Sequence, residues 1–327
     1  MDGPPNAEQG LGASVVWNAG FGADAGAGER NDLSAREQLS DGRDFLEGEA
    51  HDDLPKNIAH FAFAGVRSRA VMARVLITGS SDGLGLTSAQ ILAEQGHAVT
   101  LHARSEARGV EAKKKLPAAE HVVIGDFSSL AGMLAVAQQA NDAGRYDAVI
   151  HNAGIGYHLP KAVETSDGLE QTFAVNVLAP YVLTARMTKP SRLVYLSSGM
   201  HRGGDPDLSD LQWKSRRWNG TQAYSDSKLF DVLLAFAVAR RFPHILSNAV
   251  HPGWVATKMG GRGAPDDLHL GGLTQAWLAV SDDAKAKVTG QYFFHQKLDH
   301  VHAAANDQKI QDALLATCEK ISGVDLR

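Results

Sequence analysis

A tyrosine and a lysine stand four positions apart in this sequence, at Tyr224 and Lys228. In a helix, residues at this spacing lie one turn apart on the same face. A free tyrosine has a pKa of about 10, which is too high for proton transfer at neutral pH. A neighbouring ammonium group favours the phenolate and lowers that pKa. The pair is therefore predicted to give or take a proton in a reaction.

A hydroxyl group that can polarise a carbonyl oxygen is predicted to lie near this pair. The stretch 191–198 has the composition of a buried strand and ends in Ser197 and Ser198, and Ser198 precedes Tyr224 by 26 positions. Ligands of parallel α/β sheets collect at the carboxyl ends of the strands. The two serines are therefore candidates for orienting a substrate oxygen.

A glycine-rich turn joins the first predicted strand, 73–79, to the first predicted helix, 86–96. Glycines at 79, 83 and 85 allow a tight turn and close backbone approach, and the N-terminal N–H groups of the helix favour an anion. A glycine pattern alone is weak evidence for a dinucleotide-binding turn. This one follows a strand, opens a helix and begins a series of βα units, which is the context that such a turn requires. It predicts a dinucleotide-binding turn rather than an ordinary loop.

Short apolar stretches alternate with stretches of helical spacing along the body of the chain. The further predicted strands are 97–102, 121–126, 146–151, 191–198, 247–250 and 291–295, and the further predicted helices are 105–115, 129–143, 168–187 and 224–241. This alternation predicts an α/β fold, a doubly wound parallel sheet with helices on both faces. We expect one domain, residues 72–327, with the ligand outside the carboxyl ends of the strands.

The second predicted strand bears on which nicotinamide cofactor would bind. A site that prefers NAD places Asp or Glu at the end of this strand to hold the ribose 2′-hydroxyl. Here the strand is followed by Arg104, whose guanidinium group suits a 2′-phosphate. The sequence therefore favours NADP(H) over NAD(H), and the choice stays open if Arg104 is only a solvated loop cation.

Two segments near the predicted site have an open interpretation. Trp213 and Trp218 lie in an insertion between Ser198 and Tyr224, where they either cover the substrate or pin the loop to the body. The glycine-rich segment 258–270 is predicted to be a mobile substrate lid.

The first 71 residues differ from the rest of the 327-residue chain. They hold 12 acidic and 6 basic residues, whereas residues 72–327 hold 25 acidic and 26 basic residues. Residues 1–59 show no sustained apolar period, so we expect a disordered acidic extension. It is either an upstream extension of the reading frame before Met72 or an arm that recruits partners. A secretory or transit signal fits it badly, which predicts a cytoplasmic protein.

Several classes of protein are excluded by composition. There is no basic cluster, so nucleic acid is a poor partner. The single cysteine, Cys318, excludes a disulfide framework. No apolar run reaches the roughly 20 residues of a membrane span, so no integral membrane segment is expected. His295, His300 and His302 cluster without an accompanying carboxylate pattern, and we predict no metal site.

Taken together, these motifs resemble the short-chain dehydrogenase/reductase family over residues 72 to about 300. The resembling residues are the turn 78–85, Asn152-Ala153-Gly154, Asn176, Ser198, Tyr224 with Lys228, and Pro252-Gly253. These motifs occur in the family's order, which makes the match specific. The long gap between Ser198 and Tyr224, together with 251–255, looks most like the retinol-dehydrogenase-like branch. The resemblance implies a Rossmann-type fold.

The resemblance also implies a role for each matching position. Tyr224 would move the substrate proton, Lys228 would hold the nicotinamide ribose and depress the tyrosine pKa, Ser198 would orient the carbonyl oxygen, and Asn176 would hold a water for proton relay. The implied cofactor-binding residues are Gly79, Ser81, Asp82, Gly83, Leu84, Gly85, Arg104, Asp126, Phe127, Asn152, Ala153, Gly154, Tyr224, Lys228, Pro252, Gly253, Val255 and Thr257.

The expected activity is hydride transfer between NADP(H) and a small-molecule carbonyl or alcohol. The alternative is a catalytically weak, NADP-binding sensor or scaffold protein of the same fold, although a pure binder would not need Asn176, Ser198, Tyr224 and Lys228 together. In the family the helix after Asn176 commonly supports subunit association. Here Pro190 ends it early, so a homodimer is one open expectation.

Overall fold

The structure, a computed structural model, describes residues 72–327, and its sheet is built around the first predicted strand. That strand, β1 (Arg74–Ile77), is buried along Val75, Leu76 and Ile77. Successive side chains of a strand face opposite sides of a sheet. Leu76 accordingly belongs to one hydrophobic cluster, whereas Val75 and Ile77 belong to the other. A strand buried on both faces is typical of a parallel sheet between two layers of helices.

Within residues 72–327 the sheet has eight strands, in the order β3-β2-β1-β4-β5-β6-β7-β8. The strands after β1 are β2 (Ala98–Ala103), β3 (His121–Ile124), β4 (Ala148–His151), β5 (Arg192–Leu196), β6 (Leu246–His251), β7 (Tyr292–Phe294) and β8 (Lys297–Leu298). All neighbouring pairs are parallel except β7 and β8, which are antiparallel. The strand order reverses between β1 and β4, and such a switch point is where a doubly wound sheet binds its ligand. The predicted fold class is confirmed.

Helices cover both faces of this sheet. They are α1 (Gly83–Glu94), α2 (Glu106–Lys115), α3 (Leu130–Asp142), α4 (Gln171–Phe173), α5 (Ala179–Arg186), α6 (Gly220–Arg241), α7 (Leu268–Val280) and α8 (Gln308–Ser322). One face carries α1, α2 and α7, and the other carries α3, α5, α6 and α8. In the part of the chain that the structure describes, no helix combines the length and the apolar character that crossing a membrane requires.

Several elements differ from the sequence prediction. The single predicted helix 168–187 is divided by a π-helical turn at Ala174–Leu178, between α4 and α5. Only the last three residues of the predicted lid, 268–270, belong to α7, whose first turn is capped by the Asp267 side chain. The C-terminal helix α8 was not predicted. The predictions for residues 1–71 lie outside the described residues.

The C-terminal helix packs against α6 and also contacts α5. The Tyr181 hydroxyl in α5 donates to the Val324 carbonyl just after α8, and Leu314, Leu315 and Cys318 of α8 are buried. Part of the surface of α6 is therefore covered within the chain. A second copy that pairs through α5 and α6 must meet α8 as well, and the homodimer stays a prediction.

Candidate active site

The glycine turn between β1 and α1 is held against the end of β4. Gly79 and Gly83 adopt positive φ angles of 63° and 52°, which glycine reaches without strain. A Cβ on Gly79 would lie 2.7 Å from the Cα atom of Ala153, and a Cβ on Gly85 would lie 2.4 Å from Nδ2 of Asn152. Glycine is required here by backbone conformation and by close approach.

Thr78 and Asn152 connect the two strand ends by hydrogen bonds. The Thr78 hydroxyl accepts from the backbone N–H groups of Asn152 and Ala153, both at 3.0 Å. Nδ2 of Asn152 donates to the carbonyl oxygens of Thr78 and Gly79 at 2.9 and 3.1 Å. The Oδ1 atom of Asn152 is buried and has no partner among the described protein atoms. A hydrogen-bond acceptor is thus left at the floor of the cleft.

His102, at the end of β2, fixes the glycine turn from the other side, and the sequence analysis missed it. Its Nδ1 accepts from the Gly79 N–H at 2.9 Å, so its Nε2 carries the proton and donates to the Gly125 carbonyl, also at 2.9 Å. The ring stacks on Phe127 with centroids 4.3 Å apart. Burial lowers the pKa of His102 to about 4, so the ring is neutral at physiological pH.

Positive charge gathers beyond the end of β2. Arg104 is exposed, and Arg108, one turn further along in α2, donates to the Ser81 hydroxyl at 2.8 Å and to the Asp82 carboxylate at 2.9 Å. Lys258 reaches the same carboxylate at 2.6 Å. Burial works against the ionised form of Asp82, but Lys258 and Arg108 outweigh it and hold its pKa below the usual value. Arg108 was not predicted, although its i+4 spacing from Arg104 was readable.

Tyr224 and Lys228 lie on the first turns of α6, at the carboxyl ends of β4 and β5. Both are buried and line the cleft. The Lys228 ammonium lies 5.8 Å from the centroid of the Tyr224 ring, donates to the Leu196 carbonyl at 2.7 Å, and forms an ion pair with Asp231 at 2.8 Å. The Tyr224 ring also packs near Tyr157, with centroids 5.5 Å apart.

The pKa of Tyr224 differs from the sequence expectation. Burial raises it above the ordinary value, although the Lys228 charge and the Ser198 hydroxyl oppose the rise. Burial would lower the pKa of Lys228, but the Asp231 carboxylate outweighs it and raises that pKa. Lys228 thus lowers the tyrosine pKa as expected, but burial outweighs it, so the pKa of Tyr224 lies above its ordinary value rather than below it.

Ser198 follows β5 at the edge of the cleft, and its backbone is held by two residues that the sequence analysis did not single out. The Ser198 carbonyl accepts from Nδ1 of His201 at 2.7 Å and from the Tyr292 hydroxyl at 3.1 Å. Ser197 is different, because its hydroxyl donates to the Lys228 carbonyl at 2.7 Å. Ser197 therefore ties β5 to α6.

Asn176 does not line the cleft but lies directly behind it, in the π-helical turn. Its Oδ1 accepts from the Ile155 N–H at 2.8 Å, and its Nδ2 donates to the Ile155 carbonyl and to the Ser227 hydroxyl. Because a Cβ on Gly154 would lie 3.4 Å from Asn176 Oδ1 and 3.5 Å from Lys228 Nζ, the three groups meet beneath the cleft floor.

The segment that follows β6 forms the remaining wall. Gly253 has a φ angle of 85°, and the Asp266 carboxylate accepts from the Trp254 N–H. The Met259 side chain packs on Gly156, where a Cβ would lie 2.7 Å from its Cγ. The irregular part of the predicted lid thus contacts the loop after β4 and, through Lys258, the glycine turn.

All these walls enclose one cleft of about 1650 Å³. Of the predicted site residues, only Asn176 is absent from its lining, which contains Gly79, Ser81, Asp82, Gly83, Leu84, Gly85, Arg104, Asp126, Phe127, Asn152, Ala153, Gly154, Ser198, Tyr224, Lys228, Pro252, Gly253, Val255 and Thr257. A typical small-molecule site measures about 300–1,000 Å³. The cleft can therefore hold a dinucleotide and a substrate together.

The two tryptophans of the insertion pin the loop. The Trp213 ring packs edge-on against the ring of Trp218. The Arg216 guanidinium lies over the Trp213 ring, 3.7 Å from the centroid of that ring. The indole N–H of Trp218 donates to the Leu159 carbonyl at 2.9 Å, and Arg216 forms an ion pair with Asp226 of α6 at 3.1 Å. Neither tryptophan lines the cleft.

Comparison with known proteins agrees with this geometry. Residues 73–200 match the family model described as short chain dehydrogenase. An uncharacterized oxidoreductase of Emericella nidulans is 42% identical, over 77% of this chain and 98% of that protein. The short-chain dehydrogenase chyC of Penicillium rubens is 40% identical, over 78% of this chain and 99% of its own length. Human retinol dehydrogenase 13 is 28% identical, over 77% and 85% of the two chains.

Among solved structures, an uncharacterized protein from Mycobacterium paratuberculosis superposes with a TM-score of 0.67 at 28% identity, covering 78% of this chain and 95% of that one. The chain belongs to the short-chain dehydrogenase/reductase family and is retinol-dehydrogenase-like within it, as the motifs predicted. It is an oxidoreductase that acts on CH–OH or C=O groups.

Proposed function

We propose that this protein is an NADP(H)-dependent oxidoreductase that interconverts a carbonyl compound and its alcohol, with Tyr224 as the proton donor and acceptor. The observation that supports this proposal most strongly is the single cleft that joins the glycine turn to Tyr224, Ser198 and Lys228. Bound NADPH would supply a hydride to the carbonyl carbon and leave as NADP⁺. Binding of the cofactor, orientation of the substrate oxygen and transfer of the proton would be done by residues of this chain.

The residues of the cleft fit a dinucleotide. A pyrophosphate suits the N-terminus of α1, where Gly79, Gly83 and Gly85 leave room that a Cβ would fill. The unpartnered Oδ1 of Asn152 offers a hydrogen-bond acceptor to a ligand N–H or O–H group. Lys228 donates two of its three N–H groups to the Leu196 carbonyl and the Asp231 carboxylate. The third N–H group is left to hold the nicotinamide ribose.

In carbonyl reduction, Tyr224 would give its phenolic proton to the substrate oxygen as that oxygen gains negative charge. Ser198 would donate a hydrogen bond to the same oxygen and hold it near the tyrosine. Asn176 and Gly154 lie beside Lys228, and the proposed relay of a replacement proton would pass through this point. The reverse reaction would use the same groups in the opposite order.

Preference for NADP(H) rests on two arginines at the adenosine end. Arg104 and Arg108 line the cleft beyond β2, where NAD-preferring sites place a carboxylate. A guanidinium group binds a phosphate through charge-assisted hydrogen bonds. Asp82 already holds Arg108 and Lys258 in position, so both cations are oriented towards the glycine turn.

Replacing Arg104 tests this preference. Arg104→Ala is expected to raise the KM for NADPH roughly 10- to 100-fold, because a hydrogen bond to a charged group contributes about 1.5–3 kcal/mol. The KM for NADH should stay within about threefold, since NADH lacks the phosphate. Initial rates with both cofactors measure the effect, and Arg186→Ala, at the exposed end of α5, is the matched control. An equal rise for both cofactors would contradict the assignment.

The body of the chain is proposed to be the catalytic unit. Within the described residues, 72–327, both hydrophobic clusters and the cleft lining draw on residues between 75 and 326. A chain that starts at Met72 is expected to have the same kcat/KM as the full chain, measured side by side at equal concentrations. A large loss on removing residues 1–71 would show that the first segment takes part in the reaction.

The substrate end of the cleft favours an apolar molecule. Its apolar lining residues are Ile155, Leu159, Val175, Met200, Trp254, Met259 and Phe294. A screen of apolar aldehydes, ketones and alcohols that follows NADPH absorbance tests the proposed function directly. Turnover of at least one carbonyl with NADPH is expected. NADPH binding without turnover across the panel would instead favour the sensor or scaffold alternative.

A further inference from the structure

The Lys228 ammonium group in the cleft floor is not a lone charge. Asp231, one turn later in α6, lies 2.8 Å from it, and the two side chains are only 4% and 3% exposed. A buried carboxylate is retained at such a position only when it is paired, because removing an ion from water is costly. The Lys228–Asp231 pair is therefore a fixed part of the site.

This pairing determines where Lys228 lies. Two of the three N–H groups of the Lys228 ammonium are held, one by the Asp231 carboxylate and one by the Leu196 carbonyl at 2.7 Å. The ammonium is thereby kept beneath Gly154, 3.5 Å from where its Cβ would be. Without Asp231, the flexible lysine side chain would have one fewer anchor and an uncompensated buried charge.

The same pairing changes the field at Tyr224. An isolated ammonium stabilises the phenolate, whereas an ammonium beside a carboxylate acts as a dipole with a much weaker effect. Burial raises the pKa of Tyr224, Lys228 and Ser198 oppose the rise, and Asp231 adds to it. The phenol therefore stays protonated over a wider range of pH than a lone lysine would allow.

We propose that Asp231 is a positioning residue that fixes Lys228 and, by neutralising its charge, keeps Tyr224 in the proton-donating form, which sets this site for carbonyl reduction. The proposal rests on the proposed function, because it assumes that Tyr224 gives the proton. In that direction the phenolic O–H bond breaks and the alcohol O–H bond forms, while hydride from NADPH reduces the carbonyl carbon.

Other titratable groups around Asp231 do not take over this task. Lys228 and Tyr224 face it from its own helix, and Tyr195 faces it from β5 with a pKa that burial raises. Of the groups on elements packed against α6, Cys318 of α8 has a pKa raised by burial and stays neutral. Burial also lowers the pKa of His201, at the start of the insertion, to about 4. Lys228 is therefore the cation that the carboxylate neutralises.

The test compares pH profiles of carbonyl reduction for the full chain and its variants. Reduction needs the phenol, so kcat/KM is high below the pKa of Tyr224 and falls as the pH rises through it. Asp231→Asn keeps the shape of the side chain and removes its charge. The basic limb of its profile, where kcat/KM falls with rising pH, is expected to shift to lower pH by about 1 unit. Asp231→Glu keeps the charge, and its limb should stay with that of the wild type.

The control is Asp226→Asn, the same change at another buried carboxylate of α6, which pairs with Arg216 rather than Lys228. It is expected to lower thermal stability without moving the limb. If Asp231→Asn lowers kcat but leaves the limb in place, Asp231 is only structural and the inference is overturned. Should that variant not fold, Asp231→Ala takes its place, and the same comparison of its basic limb with that of the wild type decides.

Tyr224→Phe and Asp231→Asn together distinguish a failure of the proposed function from a failure of the role proposed for Asp231. If Tyr224→Phe keeps its activity, the proposed function itself fails. If Tyr224→Phe is inactive but the limbs of wild type and Asp231→Asn coincide, only the role of Asp231 fails.

Discussion

Tyr224→Phe is expected to lower kcat for NADPH-dependent carbonyl reduction by roughly 10²–10⁴-fold, the usual contribution of a positioned general acid. The variant loses only the phenolic oxygen, and the ring keeps its buried packing against Tyr157. The substrate oxygen would then have to take its proton from water while Ser198 still holds it. Steady-state rates with a carbonyl substrate at saturating NADPH measure the loss.

NADPH affinity should change little in this variant. The residues proposed to hold the dinucleotide are the glycine turn, the arginines after β2 and Lys228, and none of these needs the Tyr224 hydroxyl for its own contacts. The NADPH Kd from fluorescence titration should stay within about threefold. A joint loss of binding and turnover would point to a collapsed cleft rather than a lost proton donor.

Tyr157→Phe provides the matched control, because Tyr157 lines the same cleft and its ring lies 5.5 Å from that of Tyr224. The same hydroxyl deletion at this neighbouring position is expected to change kcat by less than about tenfold. If Tyr224→Phe behaves like Tyr157→Phe, the proton must come from elsewhere, and the mechanism proposed here is wrong.

The sheet and the glycine turn were predictable because their signals are local. Apolar, β-branched stretches such as 73–77 and the glycines at 79, 83 and 85 restrict the backbone whatever surrounds them. Helix α7 was missed because its glycine-rich start resembled a loop, even though Asp267 at its N-cap was a readable signal. A cap and a helical period together would have corrected this prediction.

Residues that support the site through tertiary contacts were harder to predict. His102 bonds to Gly79 from a neighbouring strand, and Tyr292 reaches Ser198 across 94 positions of sequence. No spacing rule connects such pairs. Asp231 is different, since its i+3 position after Lys228 places it on the same face of the helix. What the sequence did not show is that both groups would be buried, which makes their pairing strong enough to alter Tyr224.

Gly85→Ala is the second substitution with a large expected effect. A Cβ at this position would lie 2.4 Å from Nδ2 of Asn152 and 2.6 Å from the Gly79 carbonyl oxygen, both closer than van der Waals contact allows. The Asn152 amide cannot simply move away, because it donates to the Thr78 and Gly79 carbonyls. Relieving the overlap must push α1 away from β4 or break these hydrogen bonds.

Overpacking of this kind costs about 1–3 kcal/mol, and here it also displaces the N-terminus of α1 where a pyrophosphate would bind. We expect a lower Tm for Gly85→Ala, measured by circular dichroism, and a NADPH Kd raised at least about 100-fold. Tyr224→Phe should instead keep its affinity. The two variants therefore separate the binding of the dinucleotide from the transfer of the proton.

Gly203→Ala is the control for the methyl group itself. A Cβ there meets none of the described atoms within 4 Å, and Gly203 has no positive φ angle and does not line the cleft. Its stability and NADPH affinity should match those of the wild type. If Gly85→Ala also kept its NADPH affinity, the close approach of α1 to Asn152 would not be what shapes the binding site. The assignment of the glycine turn to the pyrophosphate would then have to be abandoned.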